Sequence, residues 1–339
     1  MVVLMLSLLT INALSQDPHF SQFFNAPLYL NPSMVGNTDA DVRIMTNFRQ
    51  QWLGPASPYY TGKISVEHYL VQDGDGNNVL ALGVNFMHDN TFSGILKSNY
   101  AGLSLAYHMF LDEDLNNKIS IGFGAMYGKR ALDVNRLVFA SQFESGGFNT
   151  TLPSGETALS NMKSFVSLNS GASYSYSVEE FYFELGGAIF HLNKPIQTFL
   201  KDERQEIPLR YSLHSNIDFN IGDSKVLNFN GQFQRQVGID YFMIGGTLGF
   251  ILPDGPNSYS QNKSKIFYLG GWFRNKDAII PYVGYTFNNI NLGVSYDATI
   301  SKLNRSTSQP NTFELSMSYR FSKSPESLKR GKCPTKRNF

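Results

Sequence analysis

The feature that most limits what this chain can become is a two-residue period, repeated in runs of about 9–11 residues. Val42, Ile44, Thr46 and Phe48 alternate with Arg43, Met45, Asn47 and Arg49. Tyr60, Gly62, Ile64, Val66 and His68 alternate with Tyr59, Thr61, Lys63, Ser65 and Glu67. Further apolar faces follow at Leu80–Phe86, at Ala101–Met109 and at Ile119–Tyr127, the last set against Ser120, Gly122, Gly124 and Gly128. After an irregular stretch at 130–162, runs resume at about 164–176, 180–191, 209–221, 225–236, 240–251, 265–273, 279–287, 290–298 and 311–321. Successive strand side chains point to opposite faces, so each run has one apolar and one polar face.

Fourteen runs result, an even number of the kind that single-chain bacterial barrels have. After the first 15 residues there is no apolar stretch near the ~20 residues that a membrane helix needs. Charged residues make up 16% of the chain and aromatics 14%, yet the mean hydropathy is −0.21. This suits strands with a lipid face and a polar face; a secreted β-sandwich is the alternative. In hydrocarbon every backbone N–H and C=O needs a protein partner, so lipid-facing strands must close. The expected fold is therefore all-β: a transmembrane, antiparallel outer-membrane β-barrel of about 14 strands. A lipid-facing Arg at mid-bilayer costs about 2–4 kcal/mol, which places Arg43, Arg49, Lys63 and Glu67 in the lumen. His68, on the apolar face, lies near a strand end where the cost is small.

Four parts are expected. Residues 1–15 read as a secretory signal, apolar and then small at Ala13 and Ser15, although the basic n-region is missing. Residues 16–38 form an N-terminal segment, 39–321 the barrel, and 322–339 a basic tail on the periplasmic side. In the second part Pro18, Pro27 and Pro32 break any regular period. Phe20, Phe23, Phe24, Leu28, Tyr29 and Leu30 are too apolar for a solvated tail. They are expected to pack inside the barrel or along its periplasmic rim, as plug or partner contacts.

Specific chemistry is hard to find. Cys333 is the one cysteine, an inert tail residue, a free thiol, an intermolecular bridge or a modification site. The turn from Asp73 to Asn78 lacks the glycine and glutamate of a calcium loop, so no metal is expected. His19, His68, His88, His108, His191 and His214 show no metal-ligand spacing. His88 and Asp89 point to opposite faces and form no dyad. Gly186-Gly187 and Gly245-Gly246 are mid-strand, not phosphate loops, and permit curvature or close packing of a plug. No catalytic residue and no cofactor are expected. A net charge of +1 gives no case for nucleic acid.

The opening Gln16-Asp17-Pro18-His19-Phe20-Ser21-Gln22-Phe23, followed by Pro27-Leu28-Tyr29-Leu30-Asn31-Pro32, resembles the start of the PorP/SprF family of Bacteroidetes membrane proteins. Arg49-Gln50-Gln51-Trp52, Leu137-Val138-Phe139 with Gln142, Ser154-Gly155-Glu156 and Cys333-Pro334 match in the same order. The closing run Phe313–Phe321 resembles the C-terminal signal of outer-membrane barrels, although 18 residues follow it here. The resemblance implies a non-enzymatic barrel of the type IX secretion and gliding system. Its partners would be a secreted adhesin with a C-terminal sorting domain or another type IX substrate, other type IX or periplasmic components, and outer-membrane lipid. A passive channel for small solutes is the alternative, and an outer-membrane enzyme a third reading without a catalytic constellation.

Overall fold

The computed structural model describes residues 17–52, 58–72, 78–133, 136–155, 162–198, 205–252, 265–301 and 311–322. The expected signal at 1–15, Gln16, most of the Asp73–Asn78 turn, Glu156, the charged stretch 201–204 and the tail with Cys333 lie outside them.

Fourteen antiparallel strands close into one barrel. They are β1 (Val42–Gln51), β2 (Tyr59–Gln72), β3 (Asn78–Thr91), β4 (Leu96–Phe110) and β5 (Asn117–Leu132). After a short hairpin of β6 (Phe143–Glu144) and β7 (Gly147–Phe148) come β8 (Phe165–Val178), β9 (Phe181–Phe190), β10 (Arg210–Ile221) and β11 (Lys225–Gln236). The set ends with β12 (Ile239–Leu252), β13 (Lys265–Arg274), β14 (Ala278–Phe287), β15 (Ile290–Thr299) and β16 (Thr312–Phe321). Each barrel strand pairs with its chain neighbours, and β1 pairs with β16, Val42 opposite Phe321, to close the ring. Closure leaves no sheet edge, which is the condition for crossing hydrocarbon. Between β14 and β15 the pairing skips Ile280 and Pro281, where proline has no N–H to give.

Several strands are longer than the expected 9–11 residues: β2, β3, β8 and β12 have 14, β4 has 15 and β5 has 16. The extra length is polar in part, as in the Asn90–Lys97 and Asp89–Ser98 pairs of β3 and β4. An apolar face marks only the part of a strand that meets lipid, so its ends under-report the ladder.

The two ends of the barrel differ. At the end holding Val42 and Phe321, most connections are short, such as 179–180, 222–224 and 288–289. At the other end lie the long connections 133–164 and 191–209. Outer-membrane barrels keep short turns in the periplasm and long loops outside. The end with the long connections is called the loop mouth below.

Outward positions carry the apolar residues that alternation assigns to lipid, including Ile64, Val84, Leu103, Ile121 and Leu315, all exposed. His68 is on this face, with a ring nitrogen 2.9 Å from the Asp41 carbonyl.

Candidate functional site

The lumen is filled by the chain's own N-terminal segment. Proline sets its shape: Pro27 starts a single helical turn, Pro27–Leu30, and Pro32 starts a 3-10 turn, Pro32–Met34. Another 3-10 turn spans Phe23–Asn25. Asn31 joins the two proline turns, its Oδ1 accepting from the Ser33 backbone at 2.9 Å.

The aromatic and aliphatic residues of this segment divide among three buried clusters. Phe23, Phe24 and Leu30 pack with Met243, Tyr268, Trp272, Ile280 and Tyr282 of β12–β14. Phe24 stacks on Trp272 with ring centroids 4.8 Å apart. Phe20 packs with Met87, Tyr100, Phe165 and Ile207. Leu28 meets Met45, Ala81 and Ala106. Tyr29 is half-buried, its ring 4.4 Å below the Arg210 guanidinium.

Polar groups fasten the segment at three heights. Near the end holding Val42, Glu67 accepts from the Gly36 backbone at 2.9 Å and pairs with Arg43 at 2.8 Å. There Asn37 donates to Glu184 and accepts from Lys118. In the middle, the Asn31 amide donates to the carbonyls of Ala172 and Gly187 at 3.1 and 3.2 Å. Two wall glycines admit this approach. A Cβ on Gly171 would sit 2.1 Å from the Asn31 side chain, and one on Gly122 would sit 2.2 Å from the Ser33 nitrogen. At the loop mouth, Asp17 lies 2.8 Å from His191 and 3.2 Å from Arg210. Burial by itself raises the Asp17 pKa, but these two neighbours and the Gln236 amide outweigh it and hold the carboxyl at about 2.

Also near the loop mouth, on the strands that close the ring, is a buried ionic cluster. Arg49 contacts Glu314 at 3.2 Å and Asp297 at 3.4 Å, and Arg274 contacts Asp297 at 2.8 Å. Arg49 and Glu314 stand opposite each other in the β1–β16 pairing that closes the ring. The segment reads this cluster directly. The backbone N–H groups of Ser21 and Gln22 donate to the two Glu314 oxygens at 2.8 and 3.0 Å, and Ser21 Oγ donates to Asp297 at 2.7 Å.

All four charges that alternation points inward face the lumen: Arg43 and Glu67 paired, Arg49 in the ionic cluster, and Lys63 with its ammonium 6.0 Å from the Phe20 ring centroid. The pattern did not single out Asp17, His191, Arg210, Arg274, Asp297 or Glu314. A signal was present, because Asp297 and Glu314 are the one acid each on the polar, inward faces of the closing strands. Nor did it foresee an apolar wall inside. β13 and β14 are apolar on both faces, the pattern of a strand buried on both sides.

Above the segment, at the loop mouth, is a cavity of about 390 Å³. Asp17–His19 line it. Trp52 and Tyr59 stand at one side with rings 4.5 Å apart. On the adjoining strands β3–β5, Asp89 accepts from Thr61 at 2.6 Å, and Arg130 donates to Ser98 at 3.2 Å and to Gln197 at 3.3 Å. Among the described residues no group of three His, Cys, Asp or Glu side chains could hold a metal ion.

A closed 14-stranded ring with lipid-facing strands and a lumen occupied by its own N-terminus is an outer-membrane β-barrel with an internal plug. The chain belongs to the family of type IX secretion system membrane proteins PorP/SprF, whose model matches residues 12–319. Among solved structures it is similar to a monoaromatic hydrocarbon channel mutant of TodX at 9% identity, covering 88% of this chain and 94% of that one, with a TM-score of 0.50. TodX from Pseudomonas putida, a toluene transporter, matches at 9% identity over 87% and 93% of the two chains, with a TM-score of 0.49. The toluene transporter TbuX of Ralstonia pickettii matches at 9% identity over 88% and 94%, with a TM-score of 0.48. These likenesses concern the fold alone. Among curated proteins nothing matches.

Proposed function

We propose that this protein is a non-enzymatic docking barrel of the type IX secretion and gliding system. It binds a secreted surface protein, such as an adhesin with a C-terminal sorting domain, and anchors it or helps its export. The observation that supports this best is the occupied lumen: residues 17–40 run from one mouth to the other, held by apolar clusters and buried ion pairs. A barrel filled in this way suits holding a partner at its loop mouth better than passing solute. Residues 1–15 then act as the cleaved export signal, and the basic tail 322–339 faces other periplasmic components.

The test is mild cross-linking on intact cells followed by capture of the tagged native protein. Recovery of one secreted protein carrying a sorting domain is expected. Recovery of none, with the barrel present in the outer membrane, overturns the proposal.

A passive channel for small solutes is the second reading. It is favoured by a row of inward amides on β11, Asn228, Asn230, Gln232, Gln234 and Gln236, which runs the height of the wall. Steady conductance of the intact protein in planar bilayers would support it.

A further inference from the structure

We propose that the cavity at the loop mouth is a carbohydrate-binding pit that takes one or two uncharged sugar rings. The inference goes beyond the docking function and does not rest on it.

The cavity has the volume of a small-molecule site, at about 390 Å³. Its chemistry excludes the simpler ligand classes in turn. A strong anion would meet the Asp89 carboxylate, and a cation would meet Arg130. A purely apolar ligand would strip water from these groups without replacing their hydrogen bonds. What fits is a neutral molecule with hydroxyl edges and apolar faces, which describes a pyranose ring. Flat rings for its faces are present in Trp52 and Tyr59. Its hydroxyls would meet side chains that each both orient and hydrogen-bond: Asp89, Arg130 and Gln197. Arg130 is already aimed by Ser98 and Gln197, and Asp89 by Thr61, so both groups are preset before any ligand arrives.

Two further observations agree. Trp52 takes a left-handed backbone conformation, φ 59°, which a bulky residue rarely adopts and which recurs at ligand sites. Asp17–His19, the start of the segment that occupies the lumen, also line the pit. A peptide strand that meets the segment there must turn back, with the backbone groups of its turn buried and in need of partners. The terminal unit of a glycan enters end-on and has no such need.

The experiment is saturation-transfer NMR on the full chain in detergent. The probes are the methyl glycosides of glucose, galactose, mannose and N-acetylglucosamine, with cellobiose, and a capped tripeptide as comparison. Transfer to the ring protons of at least one sugar is expected. It should fall at least fivefold in Trp52→Ala and in Asp89→Asn and stay unchanged in Phe219→Ala, which lies near the opposite end of the barrel. Unchanged heat-modifiable migration on gels shows that each variant is folded. Three results overturn the proposal: no transfer from any sugar, transfer that survives both pit variants in folded protein, or transfer from the tripeptide alone.

Discussion

Asn31 is bonded in two directions at once. Its carbonyl caps the turn that follows it, while its amide holds the carbonyls of β8 and β9. The wall can come this close only because residue 171 lacks a side chain. Gly171→Val should therefore push the segment off the wall without touching the lipid face. We expect ion conductance to appear in planar bilayers while the barrel still migrates as folded. A variant as silent as the parent would count against this account of the glycine. Asp17 offers a test by acid. Its pKa falls from 3.8 to about 2 in the folded protein, so the contact contributes fully above 3.8 and is lost as the pH falls through about 2. Protection of the segment's start from protease should persist at pH 4 and fall near pH 2, and Asp17→Asn should already lower it at pH 4. In the ionic cluster, Arg49→Met leaves Glu314 and Asp297 with only Arg274 nearby. A loss of about 3–5 kcal/mol in urea unfolding from vesicles is expected.

At the scale of elements, the strands were legible and the plug contacts were not. Lipid imposes one rule on every outward position, and that rule is what alternation records, so all fourteen strands stand out from β1 to β16. Inward positions obey no common rule, because each answers to whatever segment lies against it. Trp272 and Ile280 point inward on β13 and β14 because Phe24 and Leu30 lie there, and Gly122 is small because Ser33 does. Such pairings join residues far apart in the chain and leave no periodic trace. The apolar content of residues 20–30 did signal a need for burial, although not its address. Deleting 17–34 should expose the apolar wall of β12–β14, lower the temperature at which the folded gel band is lost, and open conductance. A deletion that changes neither would show that the segment contributes nothing to the barrel. The β6–β7 hairpin is a different sort of element. Phe143 and Phe148 meet edge-to-face at 5.1 Å, yet each is more than half exposed at the loop mouth side. Exposed aromatic pairs of this kind commonly carry binding. Replacing both with Ser should weaken partner capture at least tenfold and leave the melting of the barrel unchanged.

For the whole molecule, one contact joins its two ends. Ser21 and Gln22 are held by Glu314, 293 and 292 positions later, on the strand that closes the ring against Arg49. Synthesis and export deliver the segment first and β16 last. Until β16 arrives, the two backbone donors of the segment lack the Glu314 carboxylate and Arg49 lacks its partner in the directly opposed strand. Seating the plug and closing the ring thus share one side chain. One carboxylate near the C-terminal end of the barrel thus serves two tasks, receiving the start of the chain and meeting Arg49 across the closing seam.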